Sequence, residues 1–319
     1  MEKQLLTTVE APAPIKPRRE LIRPAPLPLP KSNSTITARS RNFFGNRFVY
    51  AVISQRAHGL SIGVNMNPGK FCNFDCVYCE VDRRETPRDA EVDLGVMTAE
   101  LRRMLSLVAK GKMKELPGYQ SVPEELLQLK EVALSGDGEP TLCPNFAEVV
   151  EAVVHVRAQR DYPFFKIVLI TNATGLHLMQ VHFGIGLLTA EDEIWAKLDA
   201  GTQEAMDRIT RAKIAPDNAP NPTLAQVMEN ILTLGRQRPV VIQSLFPLLD
   251  GKEPTPEEIE QYVQRLRELR EGGAQISLVQ VYSAHRPAVH HNCGHLPLKS
   301  LLRIAQRVHE VTGLKAEVF

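Results

Sequence analysis

Three of the chain's five cysteines, Cys72, Cys76 and Cys79, fall within eight residues in the stretch GKFCNFDCVYCEVD, residues 69–82. The spacing C-x3-C-x2-C sets thiols beside Asn, Asp and Glu, which is poor composition for a core. Four roles are open to such a set: packing, a disulfide, a zinc site or an iron–sulfur cluster. An odd cysteine count fits a disulfide framework poorly, and clustered thiols in a reducing compartment are more often metal ligands. Structural zinc takes four protein ligands. Here there are three thiols, with His58 before the loop and Cys143 well after it as remote candidates for a fourth. A [4Fe–4S] cube also takes four ligands, and three thiolates leave one iron open to a small molecule.

Other polar clusters have chemistry of their own. In SGDGEPTL (135–142), Gly136 and Gly138 let backbone approach a ligand closely, and Glu139 offers an acceptor to a cation. In ITNATG (170–175), Thr171 and Asn172 can bond vicinal hydroxyls, or simply stabilise a turn. Lys197 and Asp199 alternate on one strand and so share a face, as a ligand-binding pair or a structural ion pair. Gln243, Ser244, Gln280 and Tyr282 are candidates to line the same space. The run AHRPAVHHNCGH carries His285, Arg286, His290, His291, Cys293 and His295, which read as a loop over the site or as a second metal site.

The elements that must position these residues are legible as an alternation. Short β-branched runs occur at 60–66, 131–136, 166–172, 193–200, 240–246 and 276–283. Helical patterns lie at 98–110, 145–160, 202–212, 223–237, 255–272 and 297–311, with a weaker one at 175–190. Thr255-Pro256-Glu257-Glu258 reads as a capping box with Pro at the first helical position. Six strands alternating with helices predict parallel pairing with right-handed crossovers, as an open doubly wound sheet or a barrel-like curl of βα units. Either places a site at the carboxyl ends of the strands, and the polar clusters follow those ends.

Residues 1–40 are Pro-rich and predict an extended leader, and residues 41–319 one α/β domain closed by a C-terminal helix. The net charge of +1 over 319 residues does not announce a nucleic-acid binder. No long apolar run and no signal-type N-terminus appear, so a cytoplasmic protein with no membrane span is expected. Arg39, Arg41, Arg47 and Arg56, interleaved with Phe43, Phe44 and Tyr50, suit either RNA or a solvated face.

C72-NFD-C76-VY-C79 resembles the signature of the radical S-adenosylmethionine (SAM) superfamily. The resemblance implies a partial (βα)6 TIM-type barrel with the cysteine loop after the first strand. It implies a [4Fe–4S] cluster on Cys72, Cys76 and Cys79 whose open iron is chelated by SAM. It also implies reductive SAM cleavage to a 5′-deoxyadenosyl radical that takes hydrogen from substrate. By the same resemblance Tyr78 lies by the adenine, Gly136, Gly138 and Glu139 belong to the glycine-rich SAM motif, and Thr171 and Asn172 meet the ribose; if the face that Lys197 and Asp199 share is the barrel interior, Lys197 meets a carboxylate of SAM or substrate. A flavodoxin or ferredoxin is the implied electron donor. The stretches around the cysteines, LSGDGEPTL and LVQVYSAHRP further resemble Fe–S oxidoreductases related to wyosine-synthesis enzymes of tRNA. Those carry extra cysteines before the radical motif, and none precedes Cys72 here. The substrate therefore stays open between an RNA base and a peptide or protein. The non-enzyme reading is a metal-binding redox sensor.

Overall fold

The computed structural model describes residues 43–84, 89, 91–212, 221–285, 288–289 and 292–319. The leader expected at 1–40 lies outside them, as do Arg39, Arg41, Arg286, His290 and His291.

All six expected strands form, as β2 (Gly59–Asn65), β3 (Leu129–Ser135), β4 (Lys166–Thr171), β5 (Glu193–Lys197), β6 (Val240–Leu245) and β8 (Ile276–Tyr282). They pair in parallel in that order. The sequence reading missed both edges of this sheet. β1 (Val49–Ser54) pairs antiparallel with β2, and β10 (Ala316–Val318) adds parallel to β8. A separate two-stranded ribbon joins β7 (Pro247–Leu249) to β9 (Cys293–His295). β1 is a short apolar run set between Arg47 and Arg56, inside the stretch whose basic and aromatic residues suggest RNA or a solvated face. Its entry is tethered by the buried Glu100 carboxylate, which accepts from the backbone N–H groups of Arg47, Phe48 and Val49 at 2.7, 2.9 and 3.1 Å.

The helices fall between the strands: α1 (Leu94–Ala109), α2 (Phe146–Ala158), α3 (Met179–Gly186), α4 (Gln203–Ile209), α5 (Leu224–Gln237), α6 (Pro256–Glu271) and α7 (Leu298–Thr312). The capping box of α6 is realised: Glu258 N donates to Thr255 Oγ1 at 3.2 Å and Thr255 N to Glu258 Oε2 at 2.8 Å.

The strand pleat sorts the sheet into two faces. Ile62, Val64, Val132, Leu134, Ile167, Leu169, Ile194, Ile242, Val279 and Val281 join one apolar core with the helices. The alternate residues face inward, where a small apolar knot of Val168, Trp195 and Val241 fills one part. The sheet must curl, because Arg56, in the turn between β1 and β2, lies over both the Trp195 ring on β5 and the Tyr282 ring on β8. The ring of His58 also stands 5.9 Å from that of Phe319, bringing opposite ends of the sheet together. The result is the open, partial barrel expected, and its concave side holds a cavity of about 570 Å³. None of the helices among the described residues is long and apolar enough to cross a membrane.

Candidate active site

The cysteine loop leaves β2 at Asn65 and is tied down before it reaches the thiols. Asn65 Oδ1 accepts from Asn67 N at 3.1 Å and Asp137 N at 3.0 Å, while its Nδ2 donates to Asp137 Oδ2 at 3.1 Å. Phe74 and Val77 are buried and anchor the loop, and Asp75 N and Val77 N donate to Thr210 O and Ile209 O at 3.0 and 2.9 Å. Arg211 grips Asp75 at 2.9 Å. This arrangement turns Cys72, Cys76 and Cys79 toward one cavity, half-buried and all as free thiols.

The glycine-rich loop after β3 meets the cysteine loop directly. Glu139 N donates to Phe71 O at 3.0 Å. A Cβ on Gly138 would stand 1.7 Å from that same carbonyl oxygen, so only glycine permits the approach. Glu139 is 3 % exposed, and its carboxylate is the hub of the next loop. Oε1 accepts from Thr141 N at 3.1 Å, from Thr141 Oγ1 at 2.7 Å and from Thr171 Oγ1, while Oε2 accepts from Asn172 N at 2.7 Å. Burial raises its pKa, and the donors from Thr171, Asn172 and Thr141 oppose the shift. Asn172 Oδ1 accepts from Thr174, and its Nδ2 donates to Asn73 Oδ1 at 2.9 Å in the cysteine loop. Gly136, Gly138, Glu139, Thr171 and Asn172 thus all line the cavity, and hydrogen bonds bind their loops to the cysteine loop.

Across the cavity, Lys197 and Asp199 form the ion pair, at 3.2 Å. Tyr78 donates its hydroxyl to Asp199 Oδ2, and Lys197 Nζ lies 3.0 Å from Tyr282 Oη and 4.9 Å from the Tyr78 ring centre. Leu245 N donates to Asp199 Oδ1 at 2.8 Å. Burial opposes the Lys197 charge, but Asp199 and Tyr282 outweigh it and raise the pKa, so the ammonium persists. Inside the strands, the pleat sends Gln243 into the cavity and Ser244 the other way, onto Leu198 O at 2.7 Å and Tyr262 Oη at 2.6 Å. Gln280 bonds to Gln243 at 2.9 Å.

Several cavity residues carried no flag in the sequence: Asp137, held by Asn65, and, along the strands, Ser61, Glu131 and Trp195. Glu131 could have been found, since a carboxylate inside a buried strand is itself a signal. Its Oε1 accepts from Ser61 at 2.9 Å, while Oε2 has no hydrogen-bond partner among the described residues, and neither does Gln243 Oε1. Other flagged residues are not brought in. Cys143 is fully buried in the outer core and bonds Asn145, so it is no fourth ligand. Cys293 sits on the β7–β9 ribbon and does not line the cavity, and His295 stacks 4.3 Å from His285, which does. The basic and aromatic stretch before the motif is not one face. Phe43 and Tyr50 are buried, Arg47 pairs with Asp89, Arg56 enters the cavity, and Phe44 is exposed.

The donor set suits an iron–sulfur cluster. Three soft thiols face one space, and two of the sulfurs already have N–H groups aimed at them, Phe74 N at 3.5 Å from Cys72 Sγ and Arg83 Nη1 at 3.4 Å from Cys79 Sγ. Burial, then Glu139, pushes the Cys72 thiol up to about 11, and burial pushes Cys76 higher still. Both therefore release a proton on binding metal. Among the described residues no three of His, Cys, Asp and Glu converge closely enough to hold a single metal ion.

No protein-family model matches the chain. It is 28% identical to the UPF0026 protein slr1464 of Synechocystis over 164 residues, 51% of this chain and 52% of that protein. It is 26% identical over 180 residues to the UPF0026 protein MJ1312 of Methanocaldococcus jannaschii, 52% of this chain and 48% of that one. The aligned parts thus span about half the length of each relative. Among solved structures, a radical SAM methyltransferase from Sphaerobacter thermophilus superposes with TM-score 0.54 at 14% identity, covering 82% of this chain and 66% of that one. Streptococcus suis SuiB bound to S-adenosylmethionine gives 0.51 at 15%, with 83% and 52% covered. TYW1 with a lysine-pyruvate adduct gives 0.50 at 17%, with 80% and 74% covered. The fold is that of radical SAM enzymes.

Proposed function

We propose that this chain is a radical SAM enzyme. The observation that carries the reading is the convergence of three free thiols and the Gly138–Glu139 loop on one cavity, at the carboxyl ends of parallel strands. Cys72, Cys76 and Cys79 would hold a [4Fe–4S] cluster. When bound and reduced, such a cluster supplies the electron that cleaves SAM to methionine and a 5′-deoxyadenosyl radical, which abstracts hydrogen from substrate.

The chain's own residues shape where this happens. Glu139 locks the loops after β3 and β4 together, and leaves the backbone around Gly136 and Gly138 facing the ligand. Asp137 and the Lys197–Asp199 pair supply opposite charges along the wall for a zwitterionic ligand. Tyr78, held by Asp199, presents its ring. Thr171 and Asn172 are candidates for ribose contacts through whatever hydrogen-bonding capacity Glu139, Thr174 and Asn73 leave them.

The deeper end of the cavity is the place for substrate. There Arg56 stacks on Tyr282 and Trp195, and two buried oxygens, Glu131 Oε2 and Gln243 Oε1, have no hydrogen-bond partner among the described residues. Aromatic faces beside groups that read donor and acceptor edges suit an RNA base, which we favour over a peptide.

The test is anaerobic. The protein is reconstituted with iron and sulfide, reduced with dithionite and given SAM, and 5′-deoxyadenosine is measured by chromatography. Deoxyadenosine from wild type and none from Cys76→Ala supports the reading. An intact reduced cluster that never cleaves SAM overturns it in favour of a metal-binding redox sensor.

A further inference from the structure

The three motif sulfurs do not share one environment. Cys72 Sγ accepts from a neutral backbone donor, Phe74 N, at 3.5 Å. Cys79 differs: its Sγ is hydrogen-bonded by Arg83 Nη1 at 3.4 Å, and Arg83 is the one cation so bonded to a motif sulfur among the described residues.

Arg83 does not arrive there by chance of rotamer. Its Nε donates to Lys70 O at 3.2 Å, and Lys70 Nζ donates to Asp82 O at 2.9 Å. The two residues flank the motif, one on each side, and each side chain bonds a backbone carbonyl beside the other. This reciprocal clasp closes the loop over residues 70–83. It also fixes the guanidinium, because a fork anchored at Nε can swing little about its own plane. Lys70 takes a left-handed backbone conformation, φ 58°, that turns its carbonyl toward Arg83. Val289 N donates to Cys79 O at 2.9 Å and holds the backbone of the same cysteine.

Adding an electron to a thiolate-bound cluster deepens its negative charge, and a cation hydrogen-bonded to one of the ligand sulfurs favours that step. Hydrogen bonds to cluster sulfurs and net local charge are among the terms that set its potential. A charge-assisted bond to sulfur is about twice as strong as a neutral one. We infer that Arg83 is a positioning residue that sets the reduction potential of the cluster through Cys79, its N–H···S bond making the reduced state accessible to a physiological donor. This rests on the cluster reading above.

The experiment is an EPR-monitored redox titration of the reconstituted protein without SAM, on wild type, R83K, R83Q and R83M, with iron and sulfide content measured alongside. R83M removes both charge and donor. Its cluster should lose at least about tenfold in affinity for an electron, a midpoint about 59 mV lower for a one-electron couple. R83Q retains a neutral donor and R83K a charge without the fork, so both should fall between. Melting of the cluster-free proteins supplies the readout for a merely structural role. A midpoint in R83M equal to wild type at equal iron content overturns the inference. Where R83M holds no iron, R83K and R83Q decide: midpoints at the wild-type value overturn it, graded lower midpoints support it. A wild type that takes up no cluster overturns the cluster reading itself, whereas a normal cluster indifferent to Arg83 overturns only this inference.

Discussion

The two faces of one sheet are built to opposite rules. On the outer face, Ile62, Val132, Leu169, Ile194, Ile242 and Val279 are all 0% exposed and belong to one apolar core with the helices. On the inner face, residues of the opposite parity along the same strands include Ser61, Glu131, Lys197, Gln243 and Tyr282, and they surround a cavity. The outer face is close-packed and carries stability, since its buried groups are mostly apolar and the few polar ones, such as Ser244, are hydrogen-bonded. The inner face retains two oxygens with no hydrogen-bond partner among the described residues, which cost stability until something meets them. Gly63 marks the frontier: it lies on the inner parity of β2, and a Cβ there would fall 2.1 Å from the Tyr50 ring laid across it from β1.

The contrast can be broken most sharply at the cysteines. Cys76→Ala should abolish 5′-deoxyadenosine formation and sharply reduce iron uptake while leaving the fold cooperative, measured by iron content and circular dichroism melting. Loss of the fold with the thiol would mean that the inner face carries stability after all. Next in size, Ile242→Ala on the outer face should cost about 2–5 kcal/mol in chemical denaturation, because it opens a void in a close-packed core. Thr255→Ala, which removes one half of the α6 capping box, should cost about 1 kcal/mol by the same measurement and leave iron uptake unchanged.

The smallest effect has the opposite sign. Glu131→Gln should leave stability unchanged or raise it by on the order of 1 kcal/mol at neutral pH, since a buried carboxylate with an unpaired oxygen becomes a neutral amide. Burial raises the folded-state pKa of Glu131, with Ser61, Lys166 and Arg56 opposing. The protonated group is thus favoured in the fold. Its contribution is fully present below the ordinary carboxylate range and is lost as pH rises through the folded value. The advantage of Glu131→Gln should therefore widen from pH 4 to pH 7. Melting curves at the two pH values check this, and an advantage that narrows would show Glu131 to be paired and ionised in the fold.

The same contrast governs what could be read without coordinates. Outer-face positions announce themselves, because period-2 and period-3.6 apolar patterns are local, and the six central strands and seven helices follow from them. The α6 cap is equally local, with Thr255 and Glu258 one turn apart. The edges were harder: β10 is three residues long, and β1 pairs antiparallel where parallel crossovers were expected. On the inner face the pattern identifies a residue's side but not its partner. Lys197 and Asp199 were readable as sharing a face, yet nothing local says that Tyr78 and Tyr282 complete their network. Glu139 was readable as an acceptor, but its capture of Thr141, Thr171 and Asn172 depends on two loops after different strands.

What the sequence by itself determined is the spacing of three thiols, the glycine that lets one loop pass another, and the strand alternation that gathers them at one end. Each is encoded within a few residues, where covalent geometry dominates. Tertiary structure alone decided that Arg56 spans from the β1–β2 turn to β5 and β8, that Glu131 and Gln243 face the same cavity, and that Cys143 belongs to the outer core. Those pairings join residues tens to hundreds of positions apart. They arise from the curl of the sheet, which is a property of all its strands packed together and of no single stretch.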